Sequence, residues 1–121
     1  MTPPLPGQAS TRADRFLALR RRLRDKRRSV PDPDRRAAER HAANLLGTLS
    51  VVLRARRMAV YLSVDGELDL ERFIADAQSR LTQTFAPVIK RDQLRFAPLR
   101  RDMSLRTGRL GIPEPTARVY I

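Results

Sequence analysis

Between Met58 and Val64 the chain reads Met-Ala-Val-Tyr-Leu-Ser-Val, a short and nearly continuous apolar run. A strand with one wet face alternates polar and apolar residues, whereas an unbroken run fits a strand buried on both faces, as in a parallel sheet. Asp65-Gly66-Glu67 follows as a turn. Leu70, Phe73, Ile74, Ala77 and Leu81 then recur at i, i+3, i+4, i+7 and i+11, the cleanest amphipathic helical pattern in the chain, with Asp69 as its cap. Phe85-Ala86-Pro87-Val88-Ile89 reads as the next strand. Strand, crossover helix and strand form a βαβ unit, which requires parallel pairing and a right-handed connection. Pro87 cannot donate to a ladder, so an edge position or a local irregularity is expected there. Leu94 to Pro98 reads as a third strand and Ala117 to Ile121 as the start of a fourth.

Upstream the pattern is helical. Ser10 or Thr11 can cap a first helix, whose Phe16, Leu19 and Leu23 share one face while Arg20, Arg24 and Arg28 share another. That helix should end before Pro31, and Asp32 or Asp34 can cap a second one running to Arg54. Ala38, Ala42, Leu45, Leu46, Leu49, Val52 and Leu53 form its apolar stripe, and Gly47 should weaken or bend its middle. The expected fold class is α/β: an N-terminal helical hairpin followed by a βαβ unit of a Rossmann-like, mostly parallel sheet. Residues 1–11 are expected to be a disordered Pro-rich tail and residues 12–121 an incomplete single α/β domain, with 12–56 the helical arm and 57–121 the partial sheet.

Composition excludes several kinds of chemistry. With no Cys and a single His, His41, the chain has no disulfide, no thiol nucleophile and no multi-His or thiolate metal centre, so no catalytic residue and no metal ligand is assigned. The N-terminus lacks the charge and apolar stretch of a signal peptide, and no run approaches the roughly 20 apolar residues of a membrane span. A cytoplasmic protein without membrane partners is expected. Arg12 to Arg28 carries nine basic residues against two acidic ones, more than half of the chain's net +12. Such a stretch attracts polyanions without choosing among them. An alternative reading is therefore a non-specific nucleic-acid-binding basic module; the stretch lacks the interleaved aromatics of a sequence-specific one.

Candidate site residues follow from position. In open α/β sheets ligands bind beyond the carboxyl ends of strands, where Asp65, Gly66 and Glu67 should lie. Glu67 could accept hydrogen bonds from the N–H groups of a heterocycle, or could simply be a turn carboxylate near a helix N-terminus. Arg20 and Arg24 could hold phosphate oxygens or form a solvated basic face. Tyr61 by itself reads as a sheet-facing residue, and His41 as a solvated one. Gly108 to Pro115 is stiff and turn-rich, and the chain has no Gly-rich phosphate loop of either standard pattern.

Three stretches taken in order carry a likeness: Leu19 to Arg28, Val60 to Asp69, and Gly111-Ile112-Pro113-Glu114-Pro115, with Ala86-Pro87-Val88 between the last two. From about Leu19 onward the sequence resembles the 5-formyltetrahydrofolate cyclo-ligase family, also called 5,10-methenyltetrahydrofolate synthetases. The resemblance implies ATP-driven conversion of 5-formyltetrahydrofolate to 5,10-methenyltetrahydrofolate with Mg²⁺, by a protein that is a monomer when complete. The formyl oxygen would be the phosphoryl acceptor, and N10 would then displace phosphate. By position, Glu67 matches the pterin-binding carboxylate, Tyr61 the aromatic beside it, and Arg20 the basic residue of the phosphate-binding helix. The family's Lys four residues before Arg20 is Phe16 here, and the adjacent Arg15 is the expected substitute, so the resemblance implies ATP binding by Arg20, Arg24 and Arg15. The family also continues into further strands and a Gly-rich nucleotide and metal segment that this chain lacks, so little or no activity is expected of it alone.

Overall fold

The structure is a computed structural model that describes residues 10–116 and 120–121. Three helices come first, α1 (Arg12–Arg28), α2 (Asp32–Leu46) and α3 (Ser50–Arg54), then strand β1 (Arg57–Ala59), helix α4 (Glu71–Ser79) and strands β2 (Gln83–Lys90) and β3 (Gln93–Leu99). A small hairpin of β4 (Leu105–Thr107) and β5 (Pro113–Pro115) completes the fold. The class is the expected mixed α/β one with helices leading into a partly parallel sheet. That sheet is small, with order β1-β2-β3, parallel between β1 and β2 and antiparallel between β2 and β3. Its core joins Ala43, Val60, Phe73, Ile74, Ala86 and Leu99, so α2 and α4 cover one face of the sheet.

Strand β1 is much shorter than the apolar run from Met58 to Val64, and the reason lies in its partner. The Gln83 N–H donates to the Arg56 carbonyl at 2.8 Å, and the Val60 N–H donates to the Phe85 carbonyl at 2.8 Å. A parallel ladder advances two residues at a time, so the next bond would require the N–H of residue 87 to reach the Val60 carbonyl. Residue 87 is proline and has none. Pairing stops at Ala59 and Phe85, and the chain leaves the sheet as a loop from Tyr61 onward. Pro87 thus lies on the central strand rather than an edge strand; the local irregularity it causes is the end of β1.

The first helix begins as expected. Thr11 caps α1 in a full capping box, its hydroxyl accepting from the Asp14 N–H while Asp14 accepts from the Thr11 N–H, an arrangement worth about 1 kcal/mol. Residues 1–9 of the expected tail lie outside the described residues. The second helix differs from expectation in two respects. Asp32 and Asp34 sit in its first turn, favourable for the helix dipole, but neither side chain caps it. The helix also stops at Gly47-Thr48 instead of bending through, and restarts as α3, which rotates the apolar register. Ala43 is buried, while Leu45, Leu49 and Leu53 remain exposed.

Leu81 also departs from its expected place on the apolar face of α4. The helix ends in a Schellman turn, with the Thr82 N–H donating to the Ala77 carbonyl and the Leu81 N–H to the Gln78 carbonyl. Leu81 occupies the left-handed position (φ 65°) where glycine is usual, and its side chain is 89 % exposed. A left-handed L-residue is strained by roughly 1–2 kcal/mol. Leu81→Gly should therefore raise stability by about 0.5–1 kcal/mol, read as a higher urea midpoint with an unchanged slope.

Candidate functional site

The loop that β1 releases is closed by its own side chains. Asp65 (φ 53°) and Gly66 (φ 75°) both adopt positive φ, and the Glu67 N–H returns to the Val64 carbonyl at 3.0 Å. Glu67 Oε2 accepts from the Val64 N–H at 3.1 Å, so the carboxylate folds back over the turn. Its Oε1 faces Arg27 Nη1 at 4.0 Å. Tyr61 donates its hydroxyl to the Leu68 carbonyl at 2.7 Å and so ties the two ends of the loop together. Burial, and then the charges of Glu67, Asp69 and Glu39, hold its phenol above the ordinary tyrosine range. With that hydroxyl committed, the ring face is what Tyr61 can offer a ligand.

Tyr61 and Glu67 line one cleft of about 410 Å³ together with Arg27, Leu62, Pro87 and Ile112. It lies off the carboxyl end of β1, where a strand-end site was expected. Two of its features escape sequence reasoning. Ile112 reaches the cleft from the turn between β4 and β5, and Glu114 fixes that hairpin against the sheet. Glu114 is 4 % exposed, and its Oε1 accepts from the Ile89 N–H at 3.0 Å. Ile89 lies on the same edge of β2 as Pro87, beyond the point where β1 departs, so its N–H has no strand partner; the carboxylate stands in for one. Arg106 Nη2, 3.7 Å from Glu114 Oε2, supplies the opposing charge. A Cβ at Gly108 would fall 2.4 Å from the Glu114 side chain, so only glycine admits this approach. The motif Gly111 to Pro115 was visible in the sequence, but no pattern in it signals a carboxylate serving a neighbouring strand.

Helix α1 meets this loop by its last turn alone. Arg27 Nε donates to the Asp65 carbonyl at 2.9 Å, and Arg28 pairs with the Asp65 carboxylate. Arg35 of α2 donates to the Arg27 carbonyl at 3.1 Å, satisfying one of the carbonyls that a helix end leaves open. A Cβ at Gly66 would meet the Arg27 carbonyl and the Arg28 Cα at 3.3 Å, so the turn's glycine permits the docking. The hydrogen bond from Arg28, reinforced by the charges of Arg28, Arg24 and Arg27, holds the Asp65 carboxyl below the usual carboxylate range. Arg24 thus acts electrostatically on the loop, and Arg20 lies one helical turn before it on the same face. Arg15 lies elsewhere: at 100° per residue it falls on the side of α1 opposite Arg24. His41 is exposed on α2. Among the described residues, no group of three or more His, Asp or Glu is placed to hold a metal, and no helix is long and apolar enough to cross a membrane.

Solved structures share this architecture. The 5,10-methenyltetrahydrofolate synthetase of Aquifex aeolicus superposes with a TM-score of 0.75 at 20 % identity, covering 87 % of this chain and 54 % of that one. The 5,10-methenyltetrahydrofolate synthetase of Mycoplasma pneumoniae gives a TM-score of 0.59 at 16 % identity, covering 69 % of this chain and 52 % of that one. At such identities the likeness establishes the fold, and the chain spans about half the length of these relatives. Among curated proteins no sequence matches. The family itself is fixed by sequence: residues 12–120 match the model of the 5-formyltetrahydrofolate cyclo-ligase family, and the chain belongs to that family.

Two measurements test this geometry. Glu114→Ala leaves the Ile89 N–H buried without an acceptor and should destabilise the fold by about 1–3 kcal/mol in urea unfolding, whereas Glu114→Gln, which keeps a carbonyl oxygen there, should lose less. The lowered Asp65 pKa fixes the sign of the second. The α1 contact is fully present above the unfolded carboxylate's pKa and is lost as pH falls through the lower folded value. Amide shifts of Gly66 and Arg28 should stay constant from neutral pH to about pH 4 and move only below it.

Proposed function

We propose that the chain carries the folate-binding side of a 5-formyltetrahydrofolate cyclo-ligase, an enzyme activity of one-carbon metabolism exercised in the cytoplasm. The observation that carries this reading is the convergence of Tyr61, Glu67 and Ile112 on one cleft, in a member of that family. Glu67 Oε1, 4.0 Å from Arg27 Nη1, would accept hydrogen bonds from the N–H groups of the pterin, and the Tyr61 ring and Ile112 would enclose the flat heterocycle. Arg20 and Arg24 would hold phosphate oxygens of ATP on the face of α1 that turns toward Asp65.

In the reaction this assigns, the formyl oxygen attacks the terminal phosphorus of ATP and ADP departs. N10 then adds to the activated carbon and releases its proton to solvent or the departing phosphate, inorganic phosphate leaves with the former formyl oxygen, and the methenyl bridge closes. The chain's contribution is positioning and charge, the usual protein share in phosphoryl transfer. Mg²⁺, which the family resemblance implies, finds no carboxylate cluster among the described residues, and no step is assigned to it. On this reading the chain binds folate in the Tyr61–Glu67 cleft and offers ATP the Arg20–Arg24 face of α1.

Calorimetric titration with 5-formyltetrahydrofolate tests the assignment. Binding is expected for the native chain, weakened about 10- to 100-fold by Glu67→Gln, the loss typical of a charge-assisted hydrogen bond. Arg20→Gln should lower affinity for ATP and leave folate affinity unchanged. Equal folate affinity of native chain and Glu67→Gln would remove Glu67 from the site.

A further inference from the structure

Of the nine basic residues on α1, only Arg27 and Arg28 meet a carboxylate from elsewhere in the chain among the described residues. The helix buries none of its residues, and among the described residues its hydrogen bonds and ion pairs to the rest of the fold beyond its own cap come from its last turn. Its cations fall into two rows. Arg20, Arg24 and Arg28 share the face that acts on Asp65. Arg15, Arg22 and Lys26 lie within about 40° of one another and roughly 160–180° around the helix from Arg24, so they point away from the cleft. A phosphate held by the first row leaves this second row unused. Arg22 and Lys26, four apart, repel each other, and among the described residues none of the three is buried or ion-paired.

We propose that the outward row of α1 is a docking surface for the phosphate backbone of double-helical nucleic acid, independent of the folate cleft. From Arg15 to Lys26 the row is about 16 Å long, enough to reach across the roughly 12 Å major groove of a duplex to phosphates on both walls. A free-standing helix with its cations exposed suits that geometry. An acidic membrane suits it less, because a surface-lying helix needs a broad apolar face segregated from its charges. The stripe of Phe16, Leu19 and Leu23 spans only about 60°, and Arg12 projects within it. Contacts from these cations to backbone phosphates carry no sequence information, so the proposed binding is independent of sequence and sensitive to salt.

Fluorescence anisotropy of a short labelled duplex, titrated with the whole chain over a range of KCl concentrations, tests this. Three phosphate contacts, one for each cation of the row, predict a slope of log affinity against log salt of about −2.7. Arg22→Gln/Lys26→Gln, with helix content checked by circular dichroism, should remove about two contacts, flattening the slope by roughly 1.8 and weakening binding about tenfold, with ATP and folate affinities unchanged. Absence of duplex binding at low salt, an unchanged slope in the double variant, or binding to phosphatidylserine vesicles in place of the duplex would each overturn the proposal.

Discussion

A single missing hydrogen shapes the functional half of this fold. Pro87 sits on the central strand at the position where the parallel ladder needs its next donor, so β1 can pair no further than Val60. The apolar residues that follow cannot continue as sheet and become a loop, which places Tyr61 and Glu67 around a cleft instead of within a ladder. The same interruption leaves the edge of β2 bare at Ile89, and the Glu114 carboxylate takes up that N–H. Strand end, cleft and the hairpin that brings Ile112 therefore share one origin.

The second organising interaction is electrostatic and sits on the surface. Asp65 offers its carbonyl to Arg27 and its carboxylate to Arg28, so one residue of the turn receives the end of α1 twice. Both partners are half exposed, so the pair is screened by salt and contributes little to global stability. What it sets is direction. It brings the face bearing Arg20 and Arg24 to the same side of the molecule as the loop carrying Glu67.

Much of this was legible in the sequence. The βαβ unit follows from the apolar run at Met58 and the helical stripe through Phe73 and Ile74, because side-chain periodicity reports burial directly. Strand-end position pointed to Glu67 and the family likeness to Tyr61, and the fold brings both to the lining of one cleft. What stayed hidden depends on backbone partners that side-chain patterns do not encode. Pro87 was recognisable as an irregularity, yet its effect on β1 required the register with Val60. Leu81 continues the helical stripe in sequence but ends the helix in a conformation normally reserved for glycine. Arg91 and Asp92 turn the β2–β3 hairpin with positive φ at both positions, without glycine or asparagine to announce it. Glu114 acts on a main-chain group, and nothing in residue spacing marks such a role.

The anchoring of α1 has a mechanical consequence. A helix of 17 residues is a stiff rod about 25 Å long, and this one is clamped at a single end. Rocking by ten degrees or so about the clamp would carry its tip roughly 4 Å, and Arg20, about halfway along, roughly 2 Å. Positional freedom is therefore graded along the rod. Arg24 lies about 6 Å from the clamp and Arg20 about 12 Å, so a given rocking angle displaces the basic residues nearest Thr11 most.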